Sequence, residues 1–90
     1  MAENILIVDD EKSIADLVEV YLTNEGYHVY KFYTAAEALS CIETQALSLV
    51  ILDVMLPDMD GFALCQKIRK THLFPIIMLT AKVEDMDKIT

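Results

Sequence analysis

Short apolar segments alternate along the chain with stretches in which apolar residues recur at helical spacing. Three of these segments are continuous apolar runs, and their length and lack of alternation predict strands buried on both faces. The runs are residues 5–8, 49–52 and 75–79. A fourth segment, residues 27–32, favours a strand but contains His28 and Lys31, which predicts a half-covered strand at the edge of a sheet.

Two helices are predicted before the middle of the chain. The first carries an apolar stripe on one face, and Gly26 is expected to end it in a left-handed conformation. The stripe consists of Ile14, Leu17, Val18, Tyr21 and Leu22. The second begins with a capping box, in which Thr34 and Glu37 each satisfy a backbone amide of the other. Its apolar stripe is Ala35, Ala38, Leu39 and Ile42.

Two more helices are predicted in the second half. The third has an apolar face and ends in basic residues, which suit the negative end of the helix dipole. Its apolar residues are Phe62, Leu64, Cys65 and Ile68. The fourth begins near Val83, with Met86 and Ile89 facing inward.

The order of these elements is β-α-β-α-β-α-β-α, which predicts an α/β fold with an open parallel sheet and helices on both faces. The half-polar second strand belongs at an edge, and the hypothesis that the first and third strands are neighbours fits the strand order 2-1-3-4. In such folds a site forms beyond the carboxyl ends of the strands, where the strand order switches. We therefore expect a site between the first and third strands.

Composition limits what the domain can do. A chain of 90 residues forms at most one domain, residues 1–90. Fifteen acidic and seven basic residues give a net charge of −8, which opposes binding to nucleic acid or to an anionic membrane. The sequence has neither an apolar run near the ~18 residues of a membrane span nor a basic leader, so a cytoplasmic location is expected. Cys41 and Cys65 are interpreted as small buried hydrophobic residues.

Polar residues follow three of the apolar runs: Asp9 and Asp10, Asp53, and Thr80. If the first and third strands are neighbours, about 4.8 Å apart, the three carboxylates converge. Two such charges about 4 Å apart repel by roughly 4 kcal/mol at an effective dielectric of 20, so either a proton or a divalent cation must offset them. Two carboxylates, a carbonyl and retained waters favour Mg²⁺. Beside a metal, Asp53 is a candidate nucleophile toward phosphorus, and Thr80 a hydrogen-bond donor to the phosphoryl group.

Simpler interpretations exist for most acidic residues. Asp9 and Asp10 are also suitable as helix caps, and Thr80 as an ordinary strand-end residue. Asp58 and Asp60 are interpreted as cap or loop acids rather than metal ligands. Glu11 is either a solvated acid of the first helical turn or a contributor to the water shell of the metal. His28 and His72 are interpreted as surface residues.

Three motifs, in order and each at a strand, make the chain resemble the receiver domain of two-component response regulators. They are VDDE at 8–11, LDVMLPDMDG at 52–61 and PIIMLTA at 75–81. The residues of these motifs are most similar to those of regulators with winged-helix DNA-binding effectors, among them the vancomycin-resistance regulators. The resemblance implies the flavodoxin-like fold of that family, with its fifth strand and fifth helix absent from this chain.

The resemblance also implies roles for individual residues. Asp53 is implied as the phosphoacceptor, Asp10 as a direct Mg²⁺ ligand and Asp9 as a ligand through water. Met55 is implied to supply its backbone carbonyl to the metal and Thr80 the switching hydroxyl. Gly61 is expected to give the loop after the phosphorylated strand backbone freedom.

The implied function is that of a signalling module and not of an enzyme. The domain would catalyse at most its own phosphorylation and dephosphorylation. A sensor histidine kinase would donate a phosphoryl group from phosphohistidine to Asp53, and the phosphorylated domain would switch dimerisation and output. DNA would be contacted only through an effector domain outside this chain.

The chain departs from the family pattern in one respect. It ends ten residues after Thr80, before the lysine and the aromatic switch residue that the family carries at its fifth strand. We therefore expect an incomplete domain whose fourth strand is exposed or covered by another chain, as a homodimer or by a swap.

Two alternatives follow from the sequence. One is a receiver fragment that is not phosphorylated and acts by pairing with another protein. The other is a phosphatase similar to haloacid dehalogenases, which would carry an aspartate where this chain has Met55.

Overall fold

A computed structural model describes residues 3–79 of the chain. Four parallel strands form one sheet in the order β2-β1-β3-β4, which confirms the predicted order. The strands are β1 (Asn4–Val8), β2 (His28–Phe32), β3 (Leu49–Asp53) and β4 (Ile76–Leu79). The predicted fourth helix and Thr80 lie outside the described residues.

Helices cover both faces of the sheet because alternate residues of β1 and β3 point to opposite sides. Ile5, Ile7 and Ile51 pack against Ala15 on one side. On the other side, the second cluster contains Leu6 and Val8 together with residues of two helices. The helices are α1 (Lys12–Asn24), α2 (Ala35–Thr44) and α3 (Gly61–Arg69). The continuous apolar runs of β1 and β3 are therefore buried on both faces, as predicted.

The buried face of α1 differs from the predicted stripe. Leu17 and Tyr21 are 70% and 69% exposed, whereas Ala15 is fully buried and Val18 and Leu22 pack against the core. The apolar stripe is therefore broader than the surface that the sheet covers. In α3, Phe62 is likewise 56% exposed, while Leu64 and Ile68 are buried.

The local signals of the sequence are largely confirmed. Gly26 ends the first helical segment with a φ of 94°. The Thr34 hydroxyl oxygen accepts a hydrogen bond from the Glu37 amide at 3.3 Å. The second half of the predicted capping box is different, because the Glu37 carboxylate accepts from the Thr34 hydroxyl at 3.0 Å instead of from a backbone amide.

The two outer strands are less covered. β2 is half-buried at one edge, as predicted. Within residues 3–79, β4 pairs only with β3 and lies at the other edge of the sheet, in agreement with the expected exposed fourth strand. Ile77 is 48% exposed, so the prediction that β4 is buried on both faces does not hold for this part of the chain. Cys41 is buried and Cys65 is half-buried. No helix among residues 3–79 is both long and apolar enough to span a membrane.

Candidate functional site

The carboxyl ends of β1 and β3 bring three acidic residues together. Val8 is in register with Leu52, so Asp9 follows β1 at the level where Asp53 ends β3. Asp9 is fully buried, Asp53 is 6% exposed and Asp10 is exposed. One carboxylate oxygen from each of the three residues lies within 4.8 Å of the others. This confirms the predicted convergence at the switch point of the sheet.

Asp9 is fixed by the ends of two elements. Its amide donates to the Phe32 carbonyl at 3.1 Å, and its Oδ1 accepts from the Glu11 amide at 2.9 Å. The Glu11 amide precedes the first turn of α1, whose N-cap makes no side-chain capping hydrogen bond, so the capping interpretation does not account for Asp9. The other oxygen, Oδ2, is buried without a hydrogen-bond partner among the described residues. A buried carboxylate oxygen left in this way is costly unless it binds a proton or a cation.

Burial raises the pKa of Asp53 from 3.8 to about 6, with a further contribution from the nearby Asp9 charge. The Met55 amide acts in the opposite direction, because it donates to Asp53 Oδ1 at 3.3 Å and favours the ionised form. Burial also raises the pKa of Asp9, and the charges of Asp10 and Glu11 add to the increase. The cluster therefore resists full ionisation unless a positive charge enters it.

A closed loop connects the acidic cluster to α3. The loop begins where the Val54 amide donates to the Leu79 carbonyl at 3.1 Å, and Met55 and Asp60 form an antiparallel bridge at its base. The Gly61 amide closes it by donating to the Val54 carbonyl at 2.7 Å. These contacts hold Met55 beside Asp53.

Gly61 is required for space rather than for backbone freedom. Gly26 is the glycine with a positive φ among the described residues, so the expectation for Gly61 was wrong in its reason. A Cβ atom on Gly61 would lie 2.3 Å from the Asp53 carbonyl oxygen and 2.8 Å from Val54 Cα. The loop can pass this close to the end of β3 only without a side chain at this position.

Other sequence-predicted residues are more dispersed. The side chain of Glu11 is exposed at the N-cap of α1, Asp60 occupies the N-cap of α3, and His28 is exposed while His72 is half-buried. Thr80 lies outside the described residues. Asp58 is a cap, as interpreted, but it caps α2, a helix that begins 23 residues earlier in the chain. Periodicity could not reveal this partner because the contact joins distant segments.

The comparison with known families agrees with this geometry. The family described as "Response regulator receiver domain" matches residues 5–90. The chain belongs to this family. The receiver domain is 61% identical over 90 residues to the regulatory protein VanRc of Enterococcus gallinarum, and the comparison covers 100% of this chain and 39% of VanRc. The chain thus spans well under half the length of that relative.

Solved structures share the CheY-like fold of the receiver domain. The response regulator TrrA of Thermotoga maritima, solved in complex with Mg(2+)-BeF, matches with a TM-score of 0.83 and 34% identity. That comparison covers 97% of this chain and 76% of TrrA. A complex of the histidine kinase ThkA with TrrA matches with a TM-score of 0.82 and 38% identity over 88% of this chain and 69% of the matched chain.

Proposed function

We propose that this receiver domain accepts a phosphoryl group on Asp53 from the phosphohistidine of a sensor histidine kinase, in a reaction that requires Mg²⁺. The observation that carries the proposal is the convergence of the three carboxylates at the ends of β1 and β3. We also propose that phosphorylation switches dimerisation and output in the longer protein.

The residues present fit a hard divalent cation. Asp9 Oδ2 is buried without a partner within residues 3–79, and burial raises the pKa of both Asp9 and Asp53. Asp10, Asp53 and the Met55 backbone carbonyl would hold Mg²⁺ directly, and Asp9 would act through water. When bound, Mg²⁺ would neutralise charge on the carboxylates and on the phosphoryl oxygens.

In the proposed transfer, a carboxylate oxygen of Asp53 forms a bond to phosphorus while the bond from phosphorus to the histidine nitrogen breaks. The electron pair of that bond goes to the histidine nitrogen, and the product is an acyl phosphate on Asp53. Met55 orients the nucleophile, because its amide binds Asp53 Oδ1. Thr80 is proposed to donate a hydrogen bond to a phosphoryl oxygen.

The outer face of α1 supports a kinase as the partner. Leu17, Val20 and Tyr21 are 56% to 70% exposed, and the helix that carries them starts two residues after Asp10. Exposed apolar side chains beside a reaction site are suited to an interface with a protein donor. In a full-length protein, Leu17→Glu should slow transfer from the cognate kinase and leave phosphorylation by acetyl phosphate unchanged. Equal slowing with both donors would refute this docking surface.

The phosphoacceptor role is tested by incubating the full-length protein with Mg²⁺ and acetyl phosphate. We expect intact-mass spectrometry to show the gain of one phosphoryl group, mapped to Asp53, and no gain after Asp53→Asn. The control is Asp60→Asn, which replaces an exposed acid of the same loop and should keep the label. A label that persists in Asp53→Asn, or no label on the unsubstituted protein, would refute the proposal.

Neither alternative function is retained. The whole match is to receiver domains, and Met55 occupies the position where a haloacid-dehalogenase-like phosphatase would carry its second aspartate. The acidic cluster also gives no reason to favour a domain that is not phosphorylated. For the longer protein we propose a cytoplasmic location and DNA contact through a separate effector domain, since the net charge of −8 makes this domain itself unsuited to DNA.

A further inference from the structure

The start of α2 is capped by a residue from the loop of the acidic cluster. The Asp58 carboxylate accepts from the Ala35 amide through Oδ1 at 2.8 Å and from the Ala36 amide through Oδ2 at 3.0 Å. Thr34 satisfies the next amide, that of Glu37. The first three amides of the helix, which have no partner inside it, are all bound, two of them by Asp58.

The position of Asp58 makes this cap a link between two parts of the site. The loop that carries Asp58 is closed at its base by the Met55–Asp60 bridge, and the Met55 amide binds Asp53. Leu56 and Met59 also pack against the core cluster that contains residues of α2. The loop is therefore held at its base beside Asp53 and at its tip on α2.

The start of α2 is itself connected to the other side of the acidic cluster. The Phe32 carbonyl, two residues before Thr34, accepts from the Asp9 amide at 3.1 Å. Backbone and side-chain contacts thus run from Asp9 to the end of β2, into α2, through Asp58 and back to Asp53. Asp9 and Asp53 are held by one closed chain of contacts, and Asp58 is the side chain that completes it.

We propose that Asp58 is a positioning residue of the Mg²⁺ and phosphoryl site: by fastening the loop to the N-terminus of α2, it fixes Met55 and Asp53 for metal binding. This inference rests on the proposed function. Asp58 acts through Met55 and does not touch the metal. The ionised carboxylate is the form that accepts both amides, and these hydrogen bonds lower its pKa.

Three substitutions in the full-length protein separate positioning from helix capping and from charge. Asp58→Ala removes both hydrogen bonds, and Asp58→Asn keeps one acceptor oxygen. Thr34→Ala removes a cap of the same helix without releasing the loop. Asp60→Asn removes an equal charge from the same loop, at an N-cap whose side chain makes no capping hydrogen bond.

The measurement is the Mg²⁺ affinity, obtained from a Mg²⁺ titration in which the NMR chemical shift of the Met55 amide is monitored. The temperature is kept below the onset of unfolding. We expect Asp58→Ala to weaken Mg²⁺ binding about tenfold, the lower end of the range for residues that orient a metal ligand. Asp58→Asn should show a smaller loss in the same direction. Thr34→Ala and Asp60→Asn should stay within about twofold of the unsubstituted protein, because neither releases the loop and an exposed charge is screened. Faster hydrogen exchange of the Ala35 and Ala36 amides should accompany the Asp58 substitutions.

Each outcome decides between the two proposals. Unchanged Mg²⁺ affinity in both Asp58 variants would overturn the positioning role and leave the proposed function intact. An equal loss in Thr34→Ala would also overturn it, because the effect would then belong to the stability of α2. If the unsubstituted protein does not bind Mg²⁺, the proposed function falls together with this inference. If Asp58→Ala does not fold, the graded loss in Asp58→Asn decides the question.

Discussion

Replacing Asp53 by Asn should stabilise the Mg²⁺-free protein at neutral pH, although it removes the proposed phosphoacceptor. Asp53 is 6% exposed and lies within 4.8 Å of two other carboxylates, measured between oxygens. Asn has nearly the same shape and keeps an oxygen that accepts from the Met55 amide. The substitution therefore removes a poorly solvated charge and changes little of the packing.

The pKa of Asp53 sets the magnitude. Its increase from 3.8 to about 6 means that ionisation disfavours the folded state by about 3 kcal/mol at pH 7. This value already includes the Met55 amide, because its hydrogen bond to the ionised carboxylate lowers the pKa of Asp53. We expect the free energy of unfolding of Asp53→Asn to exceed that of the unsubstituted protein by about 3 kcal/mol at pH 7.

The same pKa fixes the sign of the pH dependence. A folded-state pKa above the unfolded value means that the folded protein binds more protons between pH 3.8 and about 6, so its stability falls as the pH rises through that window. The raised pKa of Asp9 acts in the same direction. Asp58, whose pKa is lowered, is ionised in both states above pH 5 and leaves the slope between pH 5 and 7 unchanged.

Urea unfolding followed by circular dichroism, at pH 5 and pH 7 with and without Mg²⁺, measures these differences. Without metal, the unsubstituted protein should be less stable at pH 7 than at pH 5, and Asp53→Asn should reduce that difference. Mg²⁺ should stabilise the unsubstituted protein mainly at pH 7, where the carboxylates are ionised. Glu43→Gln, which neutralises an exposed acid of α2, is the control and should leave the pH dependence unchanged. Stability that rises from pH 5 to pH 7 without metal, or a destabilising Asp53→Asn, would refute the reasoning.

Three further predictions concern the loop, the thiols and the contact between α1 and β2. Gly61→Ala should destabilise the protein by about 1–3 kcal/mol and slow phosphorylation by acetyl phosphate, because its Cβ would overlap the Asp53 carbonyl. Gly26→Ala, whose Cβ would lie in open space, should affect stability alone. Urea unfolding measures the stability of both variants, and phosphorylation assays measure their rates. Under native conditions iodoacetamide should modify Cys65 faster than Cys41, because Cys41 is 6% exposed and burial raises its pKa, and equal rates by mass spectrometry would contradict this. Lys31→Met should lower the melting temperature at low salt but not at high salt, because Lys31 pairs with two exposed or half-exposed acids of α1, and a loss independent of salt would indicate a packing effect instead.

The sequence by itself determined the elements of this protein and the edge position of β2, because continuous apolar runs suit burial on both faces and a mixed strand suits an edge. The adjacency of β1 and β3 was a hypothesis, and the structure confirms it. Convergence of Asp9, Asp10 and Asp53 follows from that adjacency, because parallel strands in register place their carboxyl ends at one edge of the sheet.

Only the tertiary structure decided which side chains of each element are buried and which distant groups bind one another. Periodicity identifies an apolar face but not how much of it the sheet covers, so the exposure of Leu17, Tyr21 and Phe62 could not be predicted. The reason for Gly61 is a distance to the Asp53 carbonyl, and the role of Asp58 is a pair of hydrogen bonds across 22 and 23 residues. Such contacts depend on how elements pack in three dimensions, so they cannot be predicted from the local sequence.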